Sequence, residues 1–194
     1  VASRRVCGLM VAWVVVGAAG LLAGCGGGPG VAPIPTPSYS CSPDPAGTPC
    51  TAELAAAQAE EAKAYEEAIF AYQEFTKERN RLLHAGGSPV STPTMERYAT
   101  GPYLEAMAGD LKLVYDNDLK STGDIEVRGY GLEKYEPERL ELYLCEDATA
   151  VRLIRADGRQ ASSGLKGKLR VVAAGPAGER RIEDTVQEGE SECP

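Results

Sequence analysis

The hydrophobic period changes once along this chain, at Thr122-Gly123-Asp124, and that change restricts the fold more than any other feature. Before it, apolar residues recur at helical spacing; after it they alternate with polar ones, as in half-buried strands. Thr51, just past Pro49, is the N-cap of a long helix, with Glu53 in the first turn where its charge meets the helix dipole. Tyr65, Ile69, Tyr72, Thr76 and Leu83 fall at steps of three, four or their sum and form one mainly apolar stripe. Glu60, Glu61, Lys63, Glu66, Glu67, Glu74, Lys77, Glu78 and Arg79 fill the rest of the helix and read as a solvated face. Ala85-Gly86-Gly87-Ser88-Pro89 ends the helix. Thr92 or Thr94 begins a short second helix through Tyr98, and Gly101-Pro102 starts a third that runs to about Tyr115.

Beyond the change of period, Ile125, Val127 and Gly129 alternate with Glu126, Arg128 and Tyr130. Leu140, Leu142 and Leu144 alternate with Glu141, Tyr143 and Cys145, after a turn at Glu136-Pro137-Glu138. Val151 to Arg155, a hairpin turn at Ala156-Asp157-Gly158, Leu165 to Ala174, the turn Gly175-Pro176-Ala177-Gly178 and Arg180 to Gln187 complete one antiparallel sheet. Helices first and a meander after predict an α+β fold, with N-terminal helices, one of them long, packed against that sheet. The 194 residues suffice for about one domain, placed at residues 51–194.

The N-terminal segment has a different character. Arg4 and Arg5 precede Val6 to Ala23, an uncharged run rich in Val, Ala, Gly and Leu, and this is the layout of an export signal. Leu22-Ala23-Gly24-Cys25 resembles the bacterial lipobox, in which a signal peptidase cuts before a cysteine whose thiol carries a diacylglyceryl group. Small residues at 23 and 24 suit that cleavage. The resemblance implies a signal peptide at residues 1–24 and lipidation at Cys25, with palmitate-type chains anchoring the protein to the outer face of the cell membrane. An uncleaved membrane helix is the alternative, because the apolar run just reaches spanning length. Ser3-Arg4-Arg5 resembles a twin-arginine signal, but Cys7 and Gly8 stand where that motif prefers larger apolar residues, so ordinary export of the unfolded chain is expected.

Gly26 to Cys50 holds seven prolines and five glycines and cannot form a core. Residues 25–50 therefore read as a tether, which in polyproline II geometry would reach about 45 Å up to Ser40. Six cysteines, none spaced C-x-x-C, fit a disulfide-permitting compartment better than zinc or thioredoxin-type chemistry. Between Cys41 and Cys50 lie Pro43, Asp44, Pro45, Ala46 and Gly47, turn formers that bring the two thiols together. Closing that loop stabilises by about 2 to 3 kcal/mol in the chain-entropy model. With Cys25 lipidated, Cys145 and Cys193 remain as a second pair; the other connectivities each join the tether to the distant strands.

Taken together, the chain resembles the nuclear transport factor 2-like superfamily, and within it small exported lipoproteins of actinobacteria. The residues that carry the resemblance are the lipobox, the proline-rich tether, Gly123-Asp124-Ile125-Glu126-Val127, Leu144-Cys145-Glu146-Asp147 and Glu192-Cys193-Pro194. It implies a cone-shaped α+β domain in which a strongly curved sheet wraps the long helix. Such domains commonly carry tryptophan in the last strand; Ile182 stands there instead, and looser packing of that strand is expected. Some related cones are isomerases that use a pocket carboxylate as base.

Candidate chemistry is sparse. Tyr98, Tyr103, Asp110 and Tyr115 are candidates for a pocket mouth, and Tyr130, Tyr135 and Tyr143 sit on strands. His84, the sole histidine, lies at the end of the long helix in a position suited to capping. No nucleophile motif marks a hydrolase. Asp116-Asn117-Asp118 begins like a calcium loop and then fails, with Lys120, Ser121 and Val127 at the positions that matter. The sequence thus calls for no catalytic residue, metal or cofactor. The acidic tail Glu188 to Glu192 reads as a solvated edge that deters strand pairing. A formal charge of −8 and a pI near 4.8 give a nucleic-acid partner no electrostatic support. The reading that remains is a lipid-anchored extracytoplasmic domain binding an envelope protein or a small apolar ligand. A dehydratase- or isomerase-type enzyme and an envelope factor of a phage or defence locus are the alternatives, and the sequence leaves the oligomeric state open. Mass spectrometry of Cys25→Ser should find an unlipidated, unprocessed precursor; unchanged processing would refute the lipobox.

Overall fold

Helix α1, Ala52–Ala85, forms where the sequence places it because both ends are chemically marked. The Thr51 hydroxyl accepts from Leu54 N at 3.2 Å, and Gly86 closes the helix in the left-handed conformation at φ 101°. In the computed structural model, residues 40–42, 47–189 and 193 are described. The leader, the lipobox residues Leu22, Ala23, Gly24 and Cys25, and most of the tether lie outside them. Helix α2, Pro93–Tyr98, is capped by Thr92, and α3, Gly101–Asp116, follows it.

Seven strands come next among the described residues: β1 (Lys120–Thr122), β2 (Glu126–Glu136), β3 (Arg139–Asp147), β4 (Arg152–Ile154), β5 (Gln160–Ser163), β6 (Lys166–Ala174) and β7 (Arg181–Gly189). The order of elements, helices first and antiparallel strands after, is the α+β arrangement expected. The strands do not, however, make one sheet. β2-β3-β6-β7 form a four-stranded antiparallel sheet, and β1-β4-β5 form a separate three-stranded one. β4 therefore turns through Ala156-Asp157-Gly158 into β5 and never joins the larger ladder.

The core lies between α1 and the larger sheet. On β3, Leu140, Leu142 and Leu144 are fully buried and pair with Ala173, Val171 and Leu169 of β6. Opposite them α1 buries Ala64, Ala68, Ala71, Tyr72, Phe75, Thr76, Leu82 and Leu83. The buried stripe is thus centred on alanines and Phe75, while Tyr65 and Ile69 are only partly buried at its edge. Small residues let the helix lie close: a Cβ on Gly129 of β2 would come within 2.7 Å of the Tyr65 hydroxyl and 3.1 Å of Ile69 Cδ1. Register shifts at Gly129/Gly131 and Leu132/Lys134 break the β2 ladder there, which bends the strand and increases its twist. Ile182 is fully buried on β7, paired with Ala173 and bridged to Ala99, so the last strand packs tightly without tryptophan.

Side chains of α1 also hold the loops. Asn80 exchanges two 3.0 Å hydrogen bonds with the backbone of Ile125, one through Nδ2 and one through Oδ1. His84 sits in the last turn, but its Nε2 donates to Gly123 O at 3.0 Å and lies 3.2 Å from Asp124; it fastens the strand entry instead of capping its own helix. Arg180, buried ahead of β7, donates to Gly175 O and Pro137 O at 3.2 and 2.9 Å and so ties two turns together. Its Nε lies 3.5 Å from Glu67 of α1 in an ion contact without hydrogen-bond geometry. Cys41 and Cys50 are joined in a disulfide, with Cα atoms 5.7 Å apart, directly before Thr51. Ser42 N donates to Gln58 Oε1 at 2.8 Å, which folds that loop back onto α1. Cys145 and Cys193 form the second disulfide, with Cα atoms 5.6 Å apart, and fasten the chain end to β3.

No helix among the described residues is long and apolar enough to cross a membrane. Just past α1 the backbone lies directly against α3, where Ser88 N donates to Leu111 O at 3.1 Å. Gly87, at φ 85°, leaves no space for a side chain: a Cβ would sit 2.3 Å from Leu111 O and 2.5 Å from Tyr115 N. Gly87→Ala should lower stability by about 3 kcal/mol or more, from left-handed strain and forced separation of the helices. Gly109→Ala, on an open face of α3 with nothing within 4 Å, should instead raise it by about 0.5 to 1 kcal/mol. Urea unfolding midpoints of the two variants check both signs.

Candidate functional site

Two residues of α1 seven apart, Tyr72 and Arg79, lie on one face of the helix and meet Glu146 at the end of β3. Tyr72 donates to Glu146 Oε2 at 2.8 Å. Arg79 Nη1 donates to Oε1 and Oε2 at 3.1 and 3.2 Å, so both carboxylate oxygens are engaged. Tyr103, from the first turn of α3, packs its ring against Phe75 and Tyr72 with centroids 5.0 and 5.9 Å apart. Its hydroxyl is buried and has no hydrogen-bond partner among the described residues, although it lies close enough to Tyr72 for each phenol to feel the other.

Burial dominates the electrostatics of this cluster. It pushes the Tyr72 phenol well above the ordinary tyrosine value, aided by Tyr103 and Glu146 and opposed by Arg79. Burial likewise raises Tyr103, against the pull of Arg79. For Arg79, burial lowers the pKa, but Glu146, Tyr103 and Tyr72 more than offset it and the guanidinium ends above its usual value. Removing either ionic partner alone would strand a charge in a poorly solvated place, at a cost on the order of 3 kcal/mol.

Arg79 also lines a cavity of about 430 Å³ between α3 and the small sheet. Leu83, Leu111, Leu113, Val114, Leu119, Ile125, Val151 and Leu153 give it a mainly aliphatic wall, and Ser162, Ser163 and Gly164 close it on the β5 side. Asp110 and Asn117 of α3 stand at its exposed margin. A mainly apolar hollow of this size with a few convergent polar groups has the character of a small-molecule site.

The four tyrosine and aspartate candidates do not converge. Asp110 lines this cavity, and Tyr103 lies in the core behind it. Tyr98 borders a different depression of about 530 Å³, beside Phe70, Arg97 and Pro176. Tyr115 is half exposed beside a third, of about 990 Å³, with Lys120, Ile154 and Arg155. Asp116-Asn117-Asp118 ends α3: Asn117 is its C-cap, and Asp118 takes a left-handed φ of 49°. Among the described residues no three His, Cys, Asp or Glu side chains gather as they would around a metal ion. Arg79 is the site residue that periodicity alone places in the solvated charge run. Its spacing of seven from Tyr72 and four from Leu83 puts a charge inside the apolar register, and that signals a buried ion pair.

No family model matches the sequence, and no curated protein does. Among solved structures, a five-substitution variant of a protein named Rd1NTF2_05 is similar at 17% identity, with a TM-score of 0.32, covering 66% of this chain and 98% of its own.

The raised phenols give a sign for the pH dependence. A tyrosine whose pKa is raised by folding contributes stability that is complete below the ordinary value of about 10 and is lost as pH climbs past it. The protein should therefore unfold with rising alkalinity above about pH 10, and Tyr72 and Tyr103 should ionise only with that transition. Phenolate absorbance near 295 nm, followed against circular dichroism, would refute this if all the tyrosines titrated while the fold persisted.

Proposed function

We propose that this protein is a lipid-anchored lipoprotein of the cell envelope whose α+β domain binds a small apolar ligand without catalysing a reaction on it. The observation that carries the ligand-binding part is the aliphatic cavity between α3 and the β1-β4-β5 sheet, of a volume suited to a small molecule. Its polar groups are the wrong ones for proton transfer. An isomerase- or dehydratase-type mechanism needs a carboxylate that is desolvated and free to take a proton from a bound substrate. Asp110, the carboxylate that lines the cavity, is exposed, and both oxygens of Glu146 are taken by Arg79 and Tyr72. Binding is the reading this arrangement supports.

The anchor and the location rest on Arg4, Arg5, the apolar run and Leu22-Ala23-Gly24-Cys25. Two disulfides in the folded part support an oxidising compartment, since cytosolic thiols are kept reduced. A tether rich in proline would let the domain stand off the headgroups and meet ligand on the outer side. A net negative charge keeps it from lying flat on an anionic surface.

An uncharged fluorophore such as N-phenyl-1-naphthylamine should brighten on binding the protein. Ser162→Phe, on the exposed edge strand and paired with Leu153 of the cavity wall, should reduce that signal about tenfold or more while leaving the circular dichroism unchanged. Equal brightening by the wild type and the variant would place the fluorophore elsewhere and remove the support for this site.

A further inference from the structure

We propose that the cavity selects uncharged acyl esters or amides, hydrogen-bonding their carbonyl at Arg79 and rejecting the corresponding carboxylate anion; this deepens the ligand-binding reading and rests on it. The first observation is that Arg79 is only half used. Its hydrogen bonds among the described residues run from Nη1 alone, to Glu146. The hydrogens on Nε and Nη2 have no protein acceptor there, and the side chain lines the hollow. A guanidinium with hydrogens to spare in the wall of a mainly aliphatic space is a strong donor to an oxygen that a ligand brings within reach, stronger than a neutral amide or hydroxyl would be.

The second observation is the charge balance. Glu146 already neutralises Arg79, so an arriving carboxylate would find a donor but no net positive charge. Asp110 is the other charged side chain on the cavity lining, and it makes the local sum negative. Lys112, two residues along α3, does not correct this, because Asp116 holds it. An anion entering a weakly polar cavity past a carboxylate loses hydration and meets like charge. A neutral carbonyl loses far less and keeps the bond to Arg79. On the opposite wall Ser162 shares the face of cavity-lining Leu153, with which it pairs, and its hydroxyl has no side-chain hydrogen bond among the described residues, so a second ester or amide heteroatom has an uncharged partner available.

Displacement of N-phenyl-1-naphthylamine from the purified full chain tests this with methyl laurate and laurate at pH 8, both below the concentrations at which they aggregate. Methyl laurate should compete at least about tenfold more strongly than laurate. Asp110→Asn, on an exposed helix face, should narrow that gap several-fold by improving laurate more than the ester. Arg79→Met combined with Glu146→Leu removes both charges together, so that neither is left unpaired; it should weaken methyl laurate about tenfold while the fluorophore still binds. Laurate competing as well as the ester, or a gap that Asp110→Asn does not alter, would overturn the selectivity and leave the cavity a binding site. Failure of the fluorophore to bind at all would overturn the ligand-binding reading itself.

Discussion

Seating α1 on the sheet brings Arg79 and Glu146 into a place where each depends on the other. The pair is mostly removed from water, and Tyr72 supplies the additional hydrogen bond that a buried carboxylate requires. Its geometric effect extends along the whole of β3. Even-numbered positions from Leu140 to Glu146 face the helix, and Cys145 is buried on the opposite face, where it bonds Cys193. A slip of one residue would turn the leucines outward, separate Glu146 from Arg79 and bring Cys145 inside. Ion pair, apolar packing and disulfide thus specify the same register, and that agreement between independent interactions is what marks a sequence with one native arrangement.

Much of this is written locally in the chain. Thr51 and Gly86-Gly87 mark the ends of α1, Thr92 caps α2, and the leucine alternation of β3 states which face is covered. The short disulfide loop follows from the turn formers between Cys41 and Cys50. What the sequence conceals is decided by long-range partners. β1 and β5 are three and four residues long, and Gln160–Ser163 has no apolar alternation to announce a strand; both exist because β4 offers them a ladder. Treating β4 as part of one continuous sheet follows naturally from the meander, and only the tertiary pairing shows that it belongs to a second one.

The site was harder to read than the fold for a related reason. Tyr98, Tyr103 and Tyr115 share helical neighbourhoods in sequence, but Tyr98 borders the depression beside Phe70, Tyr103 is in the core and Tyr115, at the far end of α3, is half exposed. Asp110 reaches the cavity because it lies one residue before Leu111, whose side chain is in the core. Arg79 looks ordinary among the charges around it, and its role becomes visible only when its position is compared with the spacing of Tyr72, Thr76 and Leu83. A charged residue in phase with a helix's covered face is therefore worth more attention than a tyrosine at a helix end.

The division of the strands into two ladders also bears on how a guest could enter and leave. Along one side the cavity is bounded by β4 and β5, three and four residues long, whose backbone bonds, among the described residues, do not run into the larger sheet. The edge strand β5 is laddered only to β4 and covers few apolar atoms, and such a segment opens at a small fraction of the free energy needed to unfold a domain. That strand can act as a hinged shutter: residence time would then be governed by the swing of β5 away from β4, while the helix, the leucine layer and the buried ion pair remain still.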